Sequence, residues 1–319
     1  MVPWRYCPFL VPASARRAAA EKFVEWKGKH LMKKLLAFGV ASVMALSLAA
    51  CGGSASTASS AAASSVAASS EAASTSAAAA ELTTVEAGKL TMATNATFPP
   101  YEMTTDAGTI EGIDVDTAQA IAEKLGLELQ IDDMDFDAAL LSVQQGKADI
   151  AMAGITVTDE RMAVMSFSDS YATGIQSVIV PEGSDIASVD DLAGKKIGTQ
   201  RGTTGYIYCS DDFGDENVVA YDDGLTAVQA LNNGQVDAVV IDNEPAKAYV
   251  ESNPGLKILD TSYAEEDYAI GMNKSNTALL EAVNAALEEL KADGTLQAIV
   301  DKYILSLIHI SEPTRLGMI

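Results

Sequence analysis

The stretch ALLSVQQGKADIAMAG (Ala139–Gly154) can be laid without a gap over a second stretch of the chain, AVQALNNGQVDAVVID (Ala227–Asp242). In both, a helical pattern stops at a glycine, an aspartate follows three residues later, and a near-continuous apolar strand comes next. Such strands are typical of a buried parallel sheet. The overlay predicts two lobes of similar construction, and the alternative that any α/β unit produces this pattern stays open.

Strands and helices alternate around the first stretch. The pattern predicts, in chain order, strand Lys89–Asn95, helix Asp114–Leu125, strand Leu127–Ile131, helix Phe136–Gln145 and strand Asp149–Ile155. This β-α-β-α-β order indicates an α/β fold. Two later amphipathic helices, 275–292 and 295–303, have no strands of their own, so we assign them to the first lobe.

We therefore predict a first lobe formed by residues 86–178 and 269–304, and a second lobe formed by residues 179–268. The chain would cross between the lobes near Ile175–Val180 and again near Asp267–Ile270. Each lobe would be a mostly parallel sheet flanked by helices. Two crossing strands make a hinge about which such lobes can close.

The N-terminal region carries a targeting pattern. A basic segment begins at Met32 and leads into an apolar stretch, Leu35–Ala50, that is short for a membrane span. The stretch ends in LAACG (48–52), which resembles a bacterial lipobox and implies cleavage before Cys51 and lipid on its sulfur. An ordinary signal peptide with a chance cysteine is the alternative. We interpret the ends as an over-extended start (1–31), a lipoprotein signal peptide (32–50), a lipid-anchor cysteine with a Ser/Ala-rich tether (51–85) and an artefactual tail (305–319).

Composition excludes several classes of function. The chain has 44 acidic and 21 basic residues, a formal net charge of -23, which repels nucleic acid and anionic lipid. Between residues 51 and 304 there is no histidine, and the cysteines there are Cys51 and Cys209. This pattern argues against a disulfide framework, a metal site and a histidine-based catalytic triad. We predict a non-enzymatic protein without cofactor, and acid catalysis by Asp242 or Glu244 stays open as an alternative.

Two opposite charges fall at matching places in the two lobes. Thr158 is a candidate N-cap, and Arg161 follows at the third helical position beside the carboxyl end of a strand. Its guanidinium fork fits a carboxylate, although a solvated helix residue is the plain alternative. Asp242 ends the corresponding strand of the other lobe, where ligands of α/β sheets bind. Asp242 can bind an ammonium group and Arg161, on the opposite side, can bind a carboxylate. An α-amino acid carries both of these groups, so we predict an α-amino acid as the ligand.

Further candidates flank these charges. The loop Gly202–Gly205 precedes a predicted helix, 206–211, and its amides can add to an anion site. Phe98 and Phe136 follow strand ends and can sandwich a ligand side chain, or belong to the core.

Several motifs together resemble the polar amino-acid-binding family of ABC-transporter solute receptors, solute-binding family 3. They cover residues from about 86 to 304 and read ATNATFPPYE (93–102), GIDVDTAQAIAEKLG (112–126), DFDAALLSVQQGKADIAMAGITVTDER (135–161), FSDSYATG (167–174), GTQRGTTG (198–205) and VDAVVIDNEP (236–245). The resemblance implies a two-lobed, type II periplasmic-binding-protein-like fold. It also implies a monomeric lipoprotein on the outer face of a bacterial cell membrane. Such a receptor gives a free polar L-amino acid to an ABC permease that works with a cytoplasmic ATPase.

The resemblance also implies roles for individual residues. Arg161 and the amides of Thr203 and Thr204 would hold the carboxylate, and Asp242 and the carbonyl of Gly154 would hold the ammonium. The remaining implied ligand-binding residues are the flanking aromatics, a hydroxyl and two positions that vary with ligand choice: Phe98, Phe136, Thr156, Asn95 and Gln200. A secreted dehydratase-like enzyme and a sensory module are alternatives on the same fold.

The neutral amides of Asn95 and Gln200 both donate and accept hydrogen bonds, so they favour a neutral polar ligand side chain over a basic one. Three acids, Glu102, Asp135 and Asp137, leave the basic option open.

Overall fold

The computed structural model describes residues 82–310, with side chains described as far as Ile304. The predicted start, the signal peptide, Cys51 and most of the tether lie outside the described residues, as does 311–319. No helix within 82–310 is long and apolar enough to cross a membrane.

Strands and helices of this part are numbered in chain order. The strands are β1 (Lys89–Thr94), β2 (Thr97–Phe98), β3 (Glu102–Thr104), β4 (Ile110–Glu111), β5 (Glu128–Asp133), β6 (Ile150–Ala151), β7 (Met165–Phe167), β8 (Ala172–Pro181), β9 (Ile197–Gln200), β10 (Val218–Tyr221), β11 (Ala238–Asp242), β12 (Leu256–Ile258), β13 (Ala264–Tyr268) and β14 (Gly271–Asn273). The α-helices are α1 (Ile113–Leu125), α2 (Phe136–Gln144), α3 (Asp159–Val164), α4 (Thr204–Phe213), α5 (Gly224–Asn232), α6 (Asn243–Ser252), α7 (Thr277–Ala292) and α8 (Thr295–Ile310). Two 3-10 turns, Val189–Leu192 and Asp215–Asn217, complete the set.

The first lobe is built on a sheet of order β5-β1-β6-β14-β7. Side chains of β1 alternate between its faces. Leu90 and Met92 pack with residues of α1, α7 and α8, whereas Ala93 packs with residues of α2. Both faces of β1 are covered, which explains why its residues from Leu90 to Thr94 are all buried. Strands β2, β3 and β4 form a small separate sheet.

The second lobe is built on a sheet of order β10-β9-β11-β8-β12, and β13 also pairs with β8. Val178 and Val240 pack on the face that Cys209 of α4 covers, while Ile179 and Val239 face residues of α5 and α6. In each sheet one strand runs opposite to all the others, β14 in the first lobe and β8 in the second. The sheets are therefore mixed, and the reversed strand is in each case the one that directly follows a crossing between the lobes.

The chain passes between the lobes at two adjacent places. The amide of Ser168 donates to the carbonyl of Ile270 (3.0 Å), and the amide of Tyr171 donates to the carbonyl of Tyr268 (3.0 Å). The second crossing lies where the sequence predicted it. The first comes before β8 and not within Ile175–Val180, so β8 belongs wholly to the second lobe and the predicted boundary at residue 178 is too late. Local pattern gave no sign of this, because it does not reveal which sheet a strand joins.

The repeat that the sequence overlay predicted is present in the hydrogen bonds. Asp149 accepts a bond from the amide of Thr91 at 2.8 Å, and Asp237 accepts one from the amide of Lys196 at the same distance. In each lobe this carboxylate joins the start of one parallel strand to its neighbour. The glycines that stop the preceding helices have φ of 68° and 67°, a conformation that favours glycine.

Two predicted boundaries differ from the structure. The last helix continues past Tyr303 to Ile310, since residues 304–310 contain neither glycine nor proline. The strand predicted for Asp149–Ile155 is short, Ile150–Ala151, because the residues after it leave the sheet. Among them is Gly154, at φ 54°.

Candidate functional site

A cleft between the lobes brings together every residue that the sequence predicted as ligand-binding. Its lining consists of Asn95, Phe98, Glu102, Phe136, Ala153, Gly154, Thr156, Arg161, Gln200, Thr203, Thr204 and Asp242. The first eight come from the first lobe and the last four from the second.

Arg161 is held at the cleft by the start of α3. Thr158 is the N-cap, as predicted, and its hydroxyl accepts a hydrogen bond from the Arg161 amide at 3.2 Å. The side chain is 8% exposed, and its guanidinium lies 5.3 Å from the centre of the Phe136 ring. It donates to the carbonyl of Thr156 (2.8 Å) and across the cleft to that of Gly202 (3.1 Å). Burial lowers the pKa of Arg161, and the nearby Glu266 acts in the opposite direction.

Asp242 lies at the carboxyl end of β11 and is 7% exposed. Its carboxylate accepts hydrogen bonds from the hydroxyl of Tyr268 and from Nε2 of Gln176 (2.9 Å). Burial, reinforced by the nearby Glu266, raises the pKa of Asp242 to about 7. Neither Asp242 nor Arg161 forms an ion pair with another described residue. The cleft thus has a basic side chain, Arg161, and an acidic one, Asp242, on opposite walls.

Glu266 of β13 was not predicted from the sequence. Its Oε2 accepts hydrogen bonds from the hydroxyls of Thr156 (3.1 Å) and Thr204 (3.1 Å) and from Nε2 of Gln176 (3.0 Å). Because Thr156 and Thr204 belong to different lobes, this buried carboxylate joins them at the base of the cleft. A signal existed in the sequence: the acid falls on the inward face of an alternating strand, in phase with Tyr268.

Glu102 and Asp114 form a buried pair of acids beside the cleft. Asp114 accepts from the hydroxyl of Tyr171 (2.7 Å) and from the amide of Gly154 (3.0 Å). Glu102 is fully buried, and neither of its oxygens accepts a hydrogen bond from a described donor. Burial and the neighbouring Asp114 raise the pKa of Glu102 well above its usual range, and burial raises the pKa of Asp114 to about 6. Glu102 therefore has the neighbouring carboxyl of Asp114 as its side-chain partner, and a proton shared by this pair keeps one of the two acids neutral.

The amides of Asn95 and Gln200 bond to each other across the cleft. Nε2 of Gln200 donates to Oδ1 of Asn95 (2.8 Å), and Nδ2 of Asn95 donates to the carbonyl of Met134 (3.0 Å). These amides therefore connect the lobes. The other two acids that the sequence singled out, Asp135 and Asp137, are exposed and line a neighbouring cavity at the cleft mouth.

The aromatic residues and the helix start complete the lining. The ring of Phe98 lies so close to Gly154 that a Cβ there would be 2.7 Å from its Cε1, which leaves no room for a side chain. Helix α4 begins at Thr204, with Thr203 as the N-cap whose hydroxyl accepts from the amide of Tyr206 at 3.3 Å. The helix is longer at both ends than the predicted 206–211.

Residues 90–306 match the family of bacterial extracellular solute-binding proteins, family 3. The chain belongs to this family. It is 32% identical to the "probable histidine-binding protein" of Neisseria gonorrhoeae, over 85% of this chain and 96% of that one. It is 33% identical to the L-cystine-binding protein TcyJ of Escherichia coli K12, over 68% and 83% of the two chains. The structure of an ancestral arginine-binding protein bound to glutamine is similar, with a TM-score of 0.65 and 42% identity over 68% of this chain and 97% of that one.

Membership of family 3 has two direct consequences. The fold is the two-lobed α/β arrangement of periplasmic binding proteins, and the relatives are amino-acid-binding proteins of ABC transporters. The names of these relatives refer to ligands with different side chains. The ligand of this family 3 member therefore has to be argued from its own cleft.

Proposed function

We propose that the protein is a receptor for a free L-amino acid with a cationic side chain, which it captures between its lobes. The observation that carries this proposal is the pair Arg161 and Asp242, two buried opposite charges on facing walls of one cleft. Buried charges of this kind are costly unless they are paired. An α-amino acid supplies both missing partners on a single carbon atom.

The carboxylate of the ligand would bind at Arg161. A guanidinium presents parallel N–H donors that match the two oxygens of a carboxylate. The start of α4, at Thr203 and Thr204, lines the same part of the cleft and offers backbone amides at the positive end of a helix.

The ammonium of the ligand would bind between Asp242 and the carbonyl of Gly154. Each oxygen of Asp242 accepts one hydrogen bond from the protein and keeps capacity for another. The positive φ of Gly154 and the absence of a side chain there bring its backbone to the cleft surface beside Phe98.

The charge of the cleft supports a cationic side chain. Of the described residues that line it, only Arg161 is basic, whereas Glu102 and Asp242 are acidic and Glu266 lies directly behind. A ligand with an additional positive charge would offset this excess and favour the ionised form of the buried pair Glu102 and Asp114. The sequence analysis favoured a neutral ligand because the amides of Asn95 and Gln200 could bond to its side chain. These amides bond to each other instead, so a neutral ligand is the second candidate.

Membership of family 3 supports a role in transport. We propose that the protein is held outside the cell by lipid on Cys51, acts as a monomer, and passes its ligand to an ABC permease with a cytoplasmic ATPase. The lipobox-like LAACG supports the anchor, and the amino-acid-binding relatives of ABC transporters support the permease.

Isothermal titration calorimetry of the purified protein with arginine, lysine, glutamine and citrulline tests the proposal. Citrulline is the sharpest comparison, because it has nearly the shape of arginine without the charge. We expect the affinity for all α-amino acids to fall about 10²–10³-fold in Arg161→Ala. We expect arginine to bind at least tenfold more tightly than citrulline, a difference of about 1.4 kcal/mol. Equal affinities would exclude the cationic preference. Recovery of chemically altered ligand would instead indicate an enzyme.

A further inference from the structure

Tyr268 lies at the junction between the hinge and the cleft. It is the last residue of β13, and its side chain is fully buried. Its backbone pairs with Ala172 of the second lobe and forms a bridge with Thr156 of the first. Tyr268 is thus in contact with both lobes at the point where the chain crosses between them.

The ring of Tyr268 is fixed in one orientation. A Cβ on Gly174 would lie 2.6 Å from its Cε1, and a Cβ on Gly154 would lie 3.4 Å from its Cε2. The ring of Tyr101 packs against it edge to face, with centroids 5.2 Å apart. This close packing directs the hydroxyl at Oδ1 of Asp242.

The hydroxyl provides one of only two hydrogen bonds that described side chains donate to Asp242, the other coming from Gln176. The charged and titratable groups that act on Asp242 from the surrounding elements are Glu266, Glu102, Arg161, Tyr101, Tyr208 and Tyr268. Two of these are acids, which disfavour a charged Asp242. The hydroxyl of Tyr268, a neutral donor held in place by packing, therefore favours the ionised form of Asp242.

We propose that Tyr268 is a positioning residue for Asp242, whose hydroxyl stabilises the ionised carboxylate and so sets the pH range in which the cleft captures an amino acid. This inference rests on the proposed function. Loss of the hydroxyl removes a hydrogen bond that favours the charged form, and protonation of Asp242 then competes with the ammonium of the ligand.

The test is the affinity for arginine, measured by calorimetry between pH 5.5 and 9, for the unaltered protein and for Tyr268→Phe. In the unaltered protein we expect the affinity to fall about tenfold per pH unit below the titration of Asp242. In Tyr268→Phe the midpoint should move upward by about one pH unit, since a hydrogen bond to a charged group has about that strength. The two curves should approach each other at high pH.

Tyr101→Phe is the matched control. It removes a hydroxyl from the ring that packs on Tyr268, and that hydroxyl donates no hydrogen bond to a described residue. Its midpoint should equal that of the unaltered protein. An unchanged midpoint in Tyr268→Phe, with or without a uniform loss of affinity, would overturn the inference, because packing alone does not move a titration. If the unaltered protein binds no amino acid, the proposed function fails instead.

Discussion

The carboxylate of Asp137 in the first lobe lies against the α-carbon of Gly202 in the second. A Cβ on Gly202 would lie 2.6 Å from Cγ of Asp137 and closer still to one of its oxygens. On its other side Gly202 accepts the hydrogen bond from Arg161 that crosses the cleft. Residue 202 therefore faces a side chain of the opposite lobe, and a Cβ there would have to displace the exposed carboxylate of Asp137.

Gly202→Ala should weaken ligand binding although it removes no contact between the protein and the ligand. Because Asp137 is exposed and its side chain can turn away, the cost should lie at the low end of overpacking, about 1 kcal/mol or roughly fivefold in affinity. Calorimetry gives the affinity, and small-angle scattering with ligand should show a larger radius of gyration than for the unaltered protein.

Two variants separate this effect from backbone strain. Gly194 has the same φ of 74°, and a Cβ there would meet nothing within 4 Å, so Gly194→Ala should share the strain and keep its affinity. Adding Asp137→Ala to Gly202→Ala should restore much of the binding. Failure of this second change to rescue binding would show that the contact does not limit closure.

Arg161→Ala and Asp242→Asn should each reduce the affinity about 10²–10³-fold, because a ligand charge would be buried without its partner at a cost of about 3–5 kcal/mol. Neither residue forms an ion pair with a described residue, so both variants should fold without ligand. At neutral pH the melting temperature of Asp242→Asn should be higher than that of the unaltered protein, because a buried ionised carboxylate is removed. Near-normal affinity in Arg161→Ala would show that Arg161 does not bind the ligand carboxylate.

Stability and affinity should depend on pH with opposite signs. The pKa of Asp242 is about 7 in the folded protein and near 3.8 when unfolded, and Asp114, with a pKa of about 6, behaves likewise. Between pH 4 and 7 the folded state therefore binds more protons, and the free energy of unfolding falls as pH rises. Ligand binding requires ionised Asp242, so affinity rises over the upper part of this range. Denaturant titrations without ligand give the free energy of unfolding at each pH, and calorimetry gives the affinity. A rise of both with pH would contradict the prediction of opposite signs.

Glu102→Gln should abolish the preference for arginine over citrulline while leaving citrulline binding largely intact. A hydrogen bond to a charged group is worth about 1.5–3 kcal/mol, which is roughly 10–100-fold. Asp135→Asn is the matched control, because it removes the same charge at the exposed mouth of the cleft. If both variants lose equal selectivity, the general negative field and not Glu102 selects the ligand.

Cys51→Ser should release the protein from membranes into the medium, since lipid on the Cys51 sulfur is the proposed anchor. Fractionation of cells followed by immunoblotting measures this. A membrane fraction equal to that of the unaltered protein would exclude lipidation at Cys51.

The sequence was informative where a signal is local. The glycine and aspartate that follow α2 and α5, and the N-cap Thr158 that places Arg161, need only neighbouring residues to be recognised. The ligand-binding residues implied by family resemblance also lie together in one cleft.

Contacts between residues far apart in the chain could not be predicted from the sequence. The pairing of Asn95 with Gln200 joins residues 105 positions apart, and Glu266 bonds residues 62 to 110 positions away. Which of several acids would be buried also depends on tertiary packing: Glu102 and Asp135 are both close to predicted site residues, yet one is enclosed and the other exposed. The first lobe crossing was misplaced for the same reason.

Arg161, Asp242 and Glu102 belong to three separate elements: α3, the end of β11 and β3. A tetrahedral carbon held through its carboxylate, its ammonium and its side chain can satisfy three such fixed groups in only one handedness. In the mirror-image ligand, one of the three substituents must point away from its partner in the protein. That protein group then stays buried without a ligand group to pair with. The proposed cleft is thus chiral as a whole, and it would discriminate between enantiomers without a residue dedicated to that task.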